Sequence, residues 1–141
     1  MSLVMPKRMM DLASHAGPED FKARVDGILK DTLNEITVLG SNVLLATWIE
    51  PEKSAGGIYK PQKSIHESRY QGTVALILKC GPTAFKYTDG RYDWEGPKPQ
   101  VGDWAVFRFS DARETFVRGV SCQVIADELI TFTVSDPNAV F

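Results

Sequence analysis

Apolar residues change their spacing once along this chain, near residue 36, and the change separates a helical region from a β region. Phe21, Val25, Ile28, Leu29, Leu33 and Ile36 fall at offsets of 4, 7, 8, 12 and 15 residues, one stripe at a 3.6-residue period. Pro18 suits the first turn of a helix, where its missing N–H has no partner to lose, and Glu19 and Asp20 sit where the helix dipole is positive. Gly27 weakens the interior by about 1 kcal/mol relative to alanine, so this helix needs a surface to lie on. The spacing predicts one amphipathic helix over about residues 18–34.

Beyond it the periodicity is that of strands. Ile36–Leu39 and Val43–Ile49 are short β-branched or aromatic runs on either side of Gly40-Ser41-Asn42. Gly72–Lys79 is almost continuously apolar, the pattern of a strand buried on both faces or in a tight barrel. Trp104–Phe109, Thr115–Val120, Gln123–Ala126 and Leu129–Val134 follow at short intervals. Strands this close together, with no helical stretch between them, predict a small barrel or sandwich rather than βαβ units. Two long stretches, 51–70 and 81–100, interrupt them; loops of that length inside a compact domain are usually functional or disordered. The reading is therefore mainly β: an N-terminal arm over 1–35 with one amphipathic helix, then a β-domain over 36–141.

Composition narrows the class without giving an activity. A chain of 141 residues has the size of one domain, and 43% apolar with 24% charged residues argues against disorder or a disulfide-stapled miniprotein. A net charge of -2, from 16 Lys+Arg against 18 Asp+Glu, excludes a basic grip on nucleic acid along the whole chain. The longest apolar run, Val74–Leu78, is far shorter than the ~20 residues of a membrane-spanning helix. Lys7 and Arg8 are followed by no apolar stretch of the secretory kind. The expectation is a soluble intracellular protein without membrane or nucleic-acid partners. All four methionines lie within the first ten residues, at the tip of the arm.

The search for catalytic chemistry favours bland readings. There is no G-x-S-x-G elbow, no phosphate-binding G-x-x-x-x-G-K-[ST] and no H-E-x-x-H helix. His66 precedes Cys80 by fourteen residues, but Cys80 reads better as a small hydrophobe closing a buried strand, and His66 as a solvated loop residue. Asp89, Asp93 and Glu95 lack calcium-loop spacing and read as a solvated turn. Lys53, Lys60, Lys63 and Arg69 make the first loop basic around Tyr59 and Tyr70, yet Glu50, Glu52 and Glu67 dilute that field. Cys80 and Cys122 have no C-x-x-C spacing, and with only His15 and His66 beside them no metal site is expected. The chain is expected to be no enzyme and to carry no cofactor.

One ordered set of motifs is more specific. Ile36-Thr37-Val38-Leu39-Gly40-Ser41-Asn42-Val43-Leu44-Leu45 leads to Glu52-Lys53-Ser54-Ala55-Gly56-Gly57-Ile58, then Gly72-Thr73-Val74, Cys80-Gly81 and Val101-Gly102-Asp103. Over about residues 36–134 this resembles the GroES (chaperonin-10) co-chaperonin family, in the family's order and near its spacing. A divergent, phage-encoded member is one form the resemblance takes. It implies a small irregular β-barrel that assembles as a heptamer, with Ile36, Val38 and Leu39 of the first strand meeting Leu129, Ile130 and Phe132 of the last strand in a neighbouring copy. It implies that Ser54, Ala55, Gly56, Gly57, Ile58 and Tyr59 dock on an ATP-bound chaperonin ring, the nucleotide belonging to the partner. The stretch 81–100 would match the hairpin roofing the dome, and the compartment would be cytoplasmic.

Ile58 would supply roughly 2 kcal/mol of apolar burial per copy, and seven weak contacts would bind together by avidity. The family continues with two apolar residues after that isoleucine; Tyr59 can bury its ring, whereas Lys60 buries poorly. Val38 stands where the family has proline, and Ser41-Asn42 where it has Asp-Arg. The arm has no counterpart in the family. Its apolar stripe of Phe21, Val25, Ile28, Leu29 and Leu33 reads as a grip on another protein, the bland alternative being that the helix packs on its own barrel or on a neighbour's. A second reading is therefore a virion structural protein, a capsid decoration or cement, that reuses the barrel and attaches to capsid protein through the arm and loops.

Overall fold

The computed structural model describes residue 12 and residues 15–49, 73–86 and 97–140. Helix α1, Pro18–Leu33, matches the stripe. Six strands follow: β1 (Asn42–Thr47), β2 (Thr73–Cys80), β3 (Trp104–Phe107), β4 (Arg113–Val117), β5 (Val120–Ala126) and β6 (Ile130–Val134). They form one antiparallel sheet in the order β4-β5-β1-β2-β3-β6. The mainly β class with one helix ahead of the strands is thus as expected. Among the described residues no helix is long and apolar enough to cross a membrane.

The connections show that this sheet is rolled. β5 and β6 stand four strand steps apart, roughly 19 Å across a flat sheet at the usual spacing. Only the 3-10 turn Asp127–Leu129 joins them. Such a link reaches about 13 Å even fully extended, so the sheet curls to bring the end of β5 towards the start of β6. Among the described residues it does not close: β4 and β6 have one strand neighbour each there. The expected barrel is an open roll.

Both faces of the roll are buried. Leu44, Ala46, Trp48, Leu76, Trp104 and Val106 point to one side, where Leu12 and the α1 residues Phe21, Val25 and Leu29 cover them. Val43, Leu45, Ala75, Ile77, Phe107 and Ile125 point to the other and pack with Ala84 and Phe85 of the turn after β2. This double burial explains why β2 reads as continuously apolar rather than alternating. The stripe of α1 therefore covers this chain's own sheet. Phe21, Val25 and Leu29 are fully buried there, and Ile28 and Leu33 are packed against the same cluster. That corrects the expectation of a grip on another protein for Phe21, Val25 and Leu29, which have no surface left to offer; Ile28 and Leu33 are half-buried beside them.

Two strand boundaries also differ from expectation. Ile36–Leu39 forms no strand; β-branched residues favour extended backbone, but a strand needs a neighbour to complete its ladder, and none lies beside these residues among those described. Thr115–Val120 is not one strand but the tip of a hairpin. Arg118 and Gly119 have φ of 51° and 81°, the left-handed pair of a tight turn, and Val117 pairs with Val120 across it. Arg118 Nε donates to Thr32 Oγ1 at 3.0 Å, tying the hairpin tip to the end of α1.

Candidate functional site

The glycines of the motif set occupy positions of different constraint around one end of β1 and β2. Gly40 turns into β1 with φ 60°, and Asn42 Nδ2 donates to the Leu39 carbonyl within that turn. Gly81 follows β2 and lies so close to this turn that a Cβ would stand 2.2 Å from the Gly40 oxygen. Its own N–H donates to Asn42 O at 2.8 Å, and Thr83 N–H donates to Gly40 O at 3.1 Å. Gly102, φ 98°, shapes the turn into β3; its N–H donates to Ile77 O, and Ile77 N–H donates to Asp103 O, both at 2.9 Å. L-G-S-N, C-G and V-G-D are thus three turns stitched to the central strands.

The first and last elements of the β-domain expose apolar surface. Leu39 is 69% exposed, Phe132 53% and Leu129 40%. Ile36 and Val38 pack partly on the helix-covered cluster, and Ile130 partly on the other. β6 pairs with β3 along one edge, Trp104 opposite Val134 and Phe107 opposite Ile130, and its other edge has no strand among the described residues. Asp127 N–H donates to Ser41 O at 3.0 Å, bringing the turn before β6 against the turn after residue 39. The six residues expected at a subunit interface therefore comprise three exposed apolar side chains and three half-buried ones that support them. The docking residues Ser54, Ala55, Gly56, Gly57, Ile58 and Tyr59 lie outside the described residues, as do the acidic Asp89, Asp93 and Glu95 and the basic Lys53, Lys60, Lys63 and Arg69.

Titratable chemistry is muted. Burial pushes the Cys80 thiol up, and pushes that of Cys122 up to about 12, so neither is a ready thiolate at neutral pH. His66 lies outside the described residues. Among the described residues no group of three or more His, Cys, Asp or Glu is placed to hold a metal. One polar chain crosses β1, β5 and β4: Gln123 Nε2 donates to Thr47 Oγ1 at 3.2 Å, Thr47 meets Ser121 Oγ at 3.2 Å, and Ser121 donates to Glu114 Oε2 at 3.0 Å. Gln123 Oε1 and Trp48 Nε1 are the buried side-chain polar atoms left without a partner among the described residues.

Three residues with structural duties carry no signal in the sequence. Lys79 Nζ donates to the carbonyls of Leu33 and Ile36, both at 2.6 Å, placing a cation on the unsatisfied end of α1. Asp127 Oδ2 accepts the buried Phe85 N–H at 2.8 Å and holds Phe85 at φ 58° over the second core. His15 accepts Gly17 N–H on Nδ1 at 3.0 Å and donates from Nε2 to Ile49 O at 2.6 Å. Each acts on backbone distant in sequence, where no spacing rule reaches. No protein-family model matches this chain, and no curated protein is similar enough to count as its relative.

Proposed function

We propose that this chain is a non-enzymatic, co-chaperonin-like protein that assembles with copies of itself into a ring and docks Ser54–Tyr59 on a chaperonin. The observation that carries the reading is the pair of open elements at either end of the β-domain. Leu129 in the turn before β6 and Phe132 on β6 are exposed beside an edge that has no strand neighbour among the described residues, and the stretch 36–39, likewise without a ladder among them, bears exposed Leu39. A free edge with apolar side chains favours pairing with another chain. An extended stretch of the next copy completes such an edge without refolding. The ordered motifs support the same reading, because their glycines shape the turns around β1, β2 and β3. The ring would be a heptamer in the cytoplasm, with ATP bound by the chaperonin and no cofactor on this chain.

The virion reading draws less support, because the stripe meant to attach the arm is buried in the chain's own core. Native mass spectrometry and a chaperonin-binding assay with ATP test the proposal together. Wild type is expected to form a ring and to bind; Ile58→Asp is expected to keep the ring and lose binding; Phe132→Asp is expected to be monomeric. A wild type that stays monomeric and does not bind chaperonin at high concentration sinks the reading.

A further inference from the structure

We propose that Leu12 and residues 15–21 clamp the adjoining ends of β1 and β2, between which segment 50–72 runs in the sequence, with His15 as the pin. Trp48 and Ile49 precede that segment, and Thr73 and Val74 follow it. Trp48 N–H donates to Val74 O at 3.0 Å, so the two ends are already joined by one backbone bond. His15 ties the first of these ends, at Ile49, to the start of α1. Gly17 N–H points at Nδ1, which must therefore carry the lone pair; the proton sits on Nε2 and is donated to Ile49 O at 2.6 Å. The imidazole is 3% exposed and lies 4.7 Å from the Trp48 ring and 5.3 Å, edge to face, from Phe21. Phe21 in turn meets Trp48 at 5.1 Å, and Trp48 meets Trp104 at 5.2 Å.

This arrangement does more than fill the core. Leu12 and Phe21 would bury as well against any apolar face, but a histidine with both ring nitrogens bonded to backbone specifies one position. The atom it holds, the Ile49 carbonyl, lies two residues beyond the end of β1 and five before Ser54. If segment 50–72 carries the docking loop, as proposed above, the clamp fixes where the loop leaves the sheet and lowers the entropy lost on docking. The arm that the GroES resemblance leaves unexplained thus acquires a role as a positioning device for the roots of the loop.

Amide hydrogen exchange on the full chain tests the clamp without any chaperonin. His15→Phe keeps a ring among Phe21, Trp48 and Trp104 and removes both hydrogen bonds. The Trp48 amide is expected to exchange roughly thirtyfold faster, the size of losing two ordinary hydrogen bonds locally. The Val124 amide, inside β5, is expected to be unchanged. His15→Gln, which restores a donor and an acceptor, is expected to fall between. Unchanged protection at Trp48 in His15→Phe overturns the proposal, and so does equal acceleration in every strand, which marks general loss of stability. Because exchange needs no partner, failure of the clamp is distinguishable from failure of wild type to bind a chaperonin.

Discussion

Substituting alanine at Gly81 and at Gly27 should change stability in opposite directions. At Gly81 the added Cβ meets backbone, not a movable side chain: 2.2 Å to Gly40 O, 2.9 Å to Gly40 C and 3.1 Å to Leu39 O. Relief requires the two turns to separate by about 1 Å, the shortfall from ordinary van der Waals contact. That movement strains the bonds from Gly81 N–H to Asn42 O and from Thr83 N–H to Gly40 O. Overpacking strain of about 1–3 kcal/mol and the weakening of two bonds of about 1 kcal/mol each put the cost of Gly81→Ala near 3 kcal/mol. In a domain of this size that lowers Tm by roughly 10 °C. Gly27 is the control. A Cβ there meets nothing within 4 Å, and the site is mid-helix, so Gly27→Ala should stabilise by about 1 kcal/mol. Urea unfolding followed by tryptophan fluorescence reads both. A Gly81→Ala protein within about 0.5 kcal/mol of wild type would refute the close approach of the turns.

Two further outcomes follow from the helix. Lys79→Met keeps the apolar stem but removes both donors from the Leu33 and Ile36 carbonyls; urea unfolding should show a loss of about 1–2 kcal/mol, with faster exchange in the last turn of α1, and wild-type stability would refute the cap. The Ala16 N–H, followed by Arg24, holds the Asp20 carboxyl below its ordinary range despite opposing desolvation. A depressed folded pKa contributes stability that is complete above the unfolded value of about 3.9 and is lost as pH falls through the lower folded value. Thermal melts of wild type should therefore drop more steeply below pH 4 than those of Asp20→Asn, and parallel curves would refute that contribution.

In the proposed ring, the edge of β6 that has no strand neighbour among the described residues is where another copy would pair. Edge strands with exposed apolar residues are hazards in a lone chain, which is why proteins that keep them usually have something to cover them. Leu129 ends the turn before β6, Phe132 lies on β6 and Leu39 lies beside the turn that the 127 backbone contacts; Phe116 on β4 and Val101 before β3 are exposed as well. α1, by contrast, presents Glu19, Ala23, Asp26, Lys30 and Asp31 on its outer side, an ordinary solvated surface. Among the described residues the large exposed apolar side chains thus lie off α1, on the sheet and its turns.

How far each feature was legible depends on the range of its cause. The α1 stripe is set by a period that neighbours within two turns enforce, so its limits, Pro18 and Leu33, could be read directly. The double burial of β2 was legible from its unbroken apolar run. Ile36–Leu39 misled because extended propensity is local, whereas a strand is a property of two segments. His15 gave no signal at all, since its partner, the Ile49 carbonyl, lies 34 residues away and has no sequence signature.

By itself, then, the sequence determined the helix, most of the strands, the turn glycines and the apolar faces that had to be covered. It did not determine what would cover them. That Phe21, Val25 and Leu29 lie on Trp48 and Trp104 rather than on another protein follows from tertiary structure alone: the nearest large apolar surface was on the same chain, where covering it costs no loss of free translation between molecules. The roll of the sheet is of the same kind. Only the three-residue link between β5 and β6, acting across the whole strand order, forces the curvature that leaves β6 as an open edge.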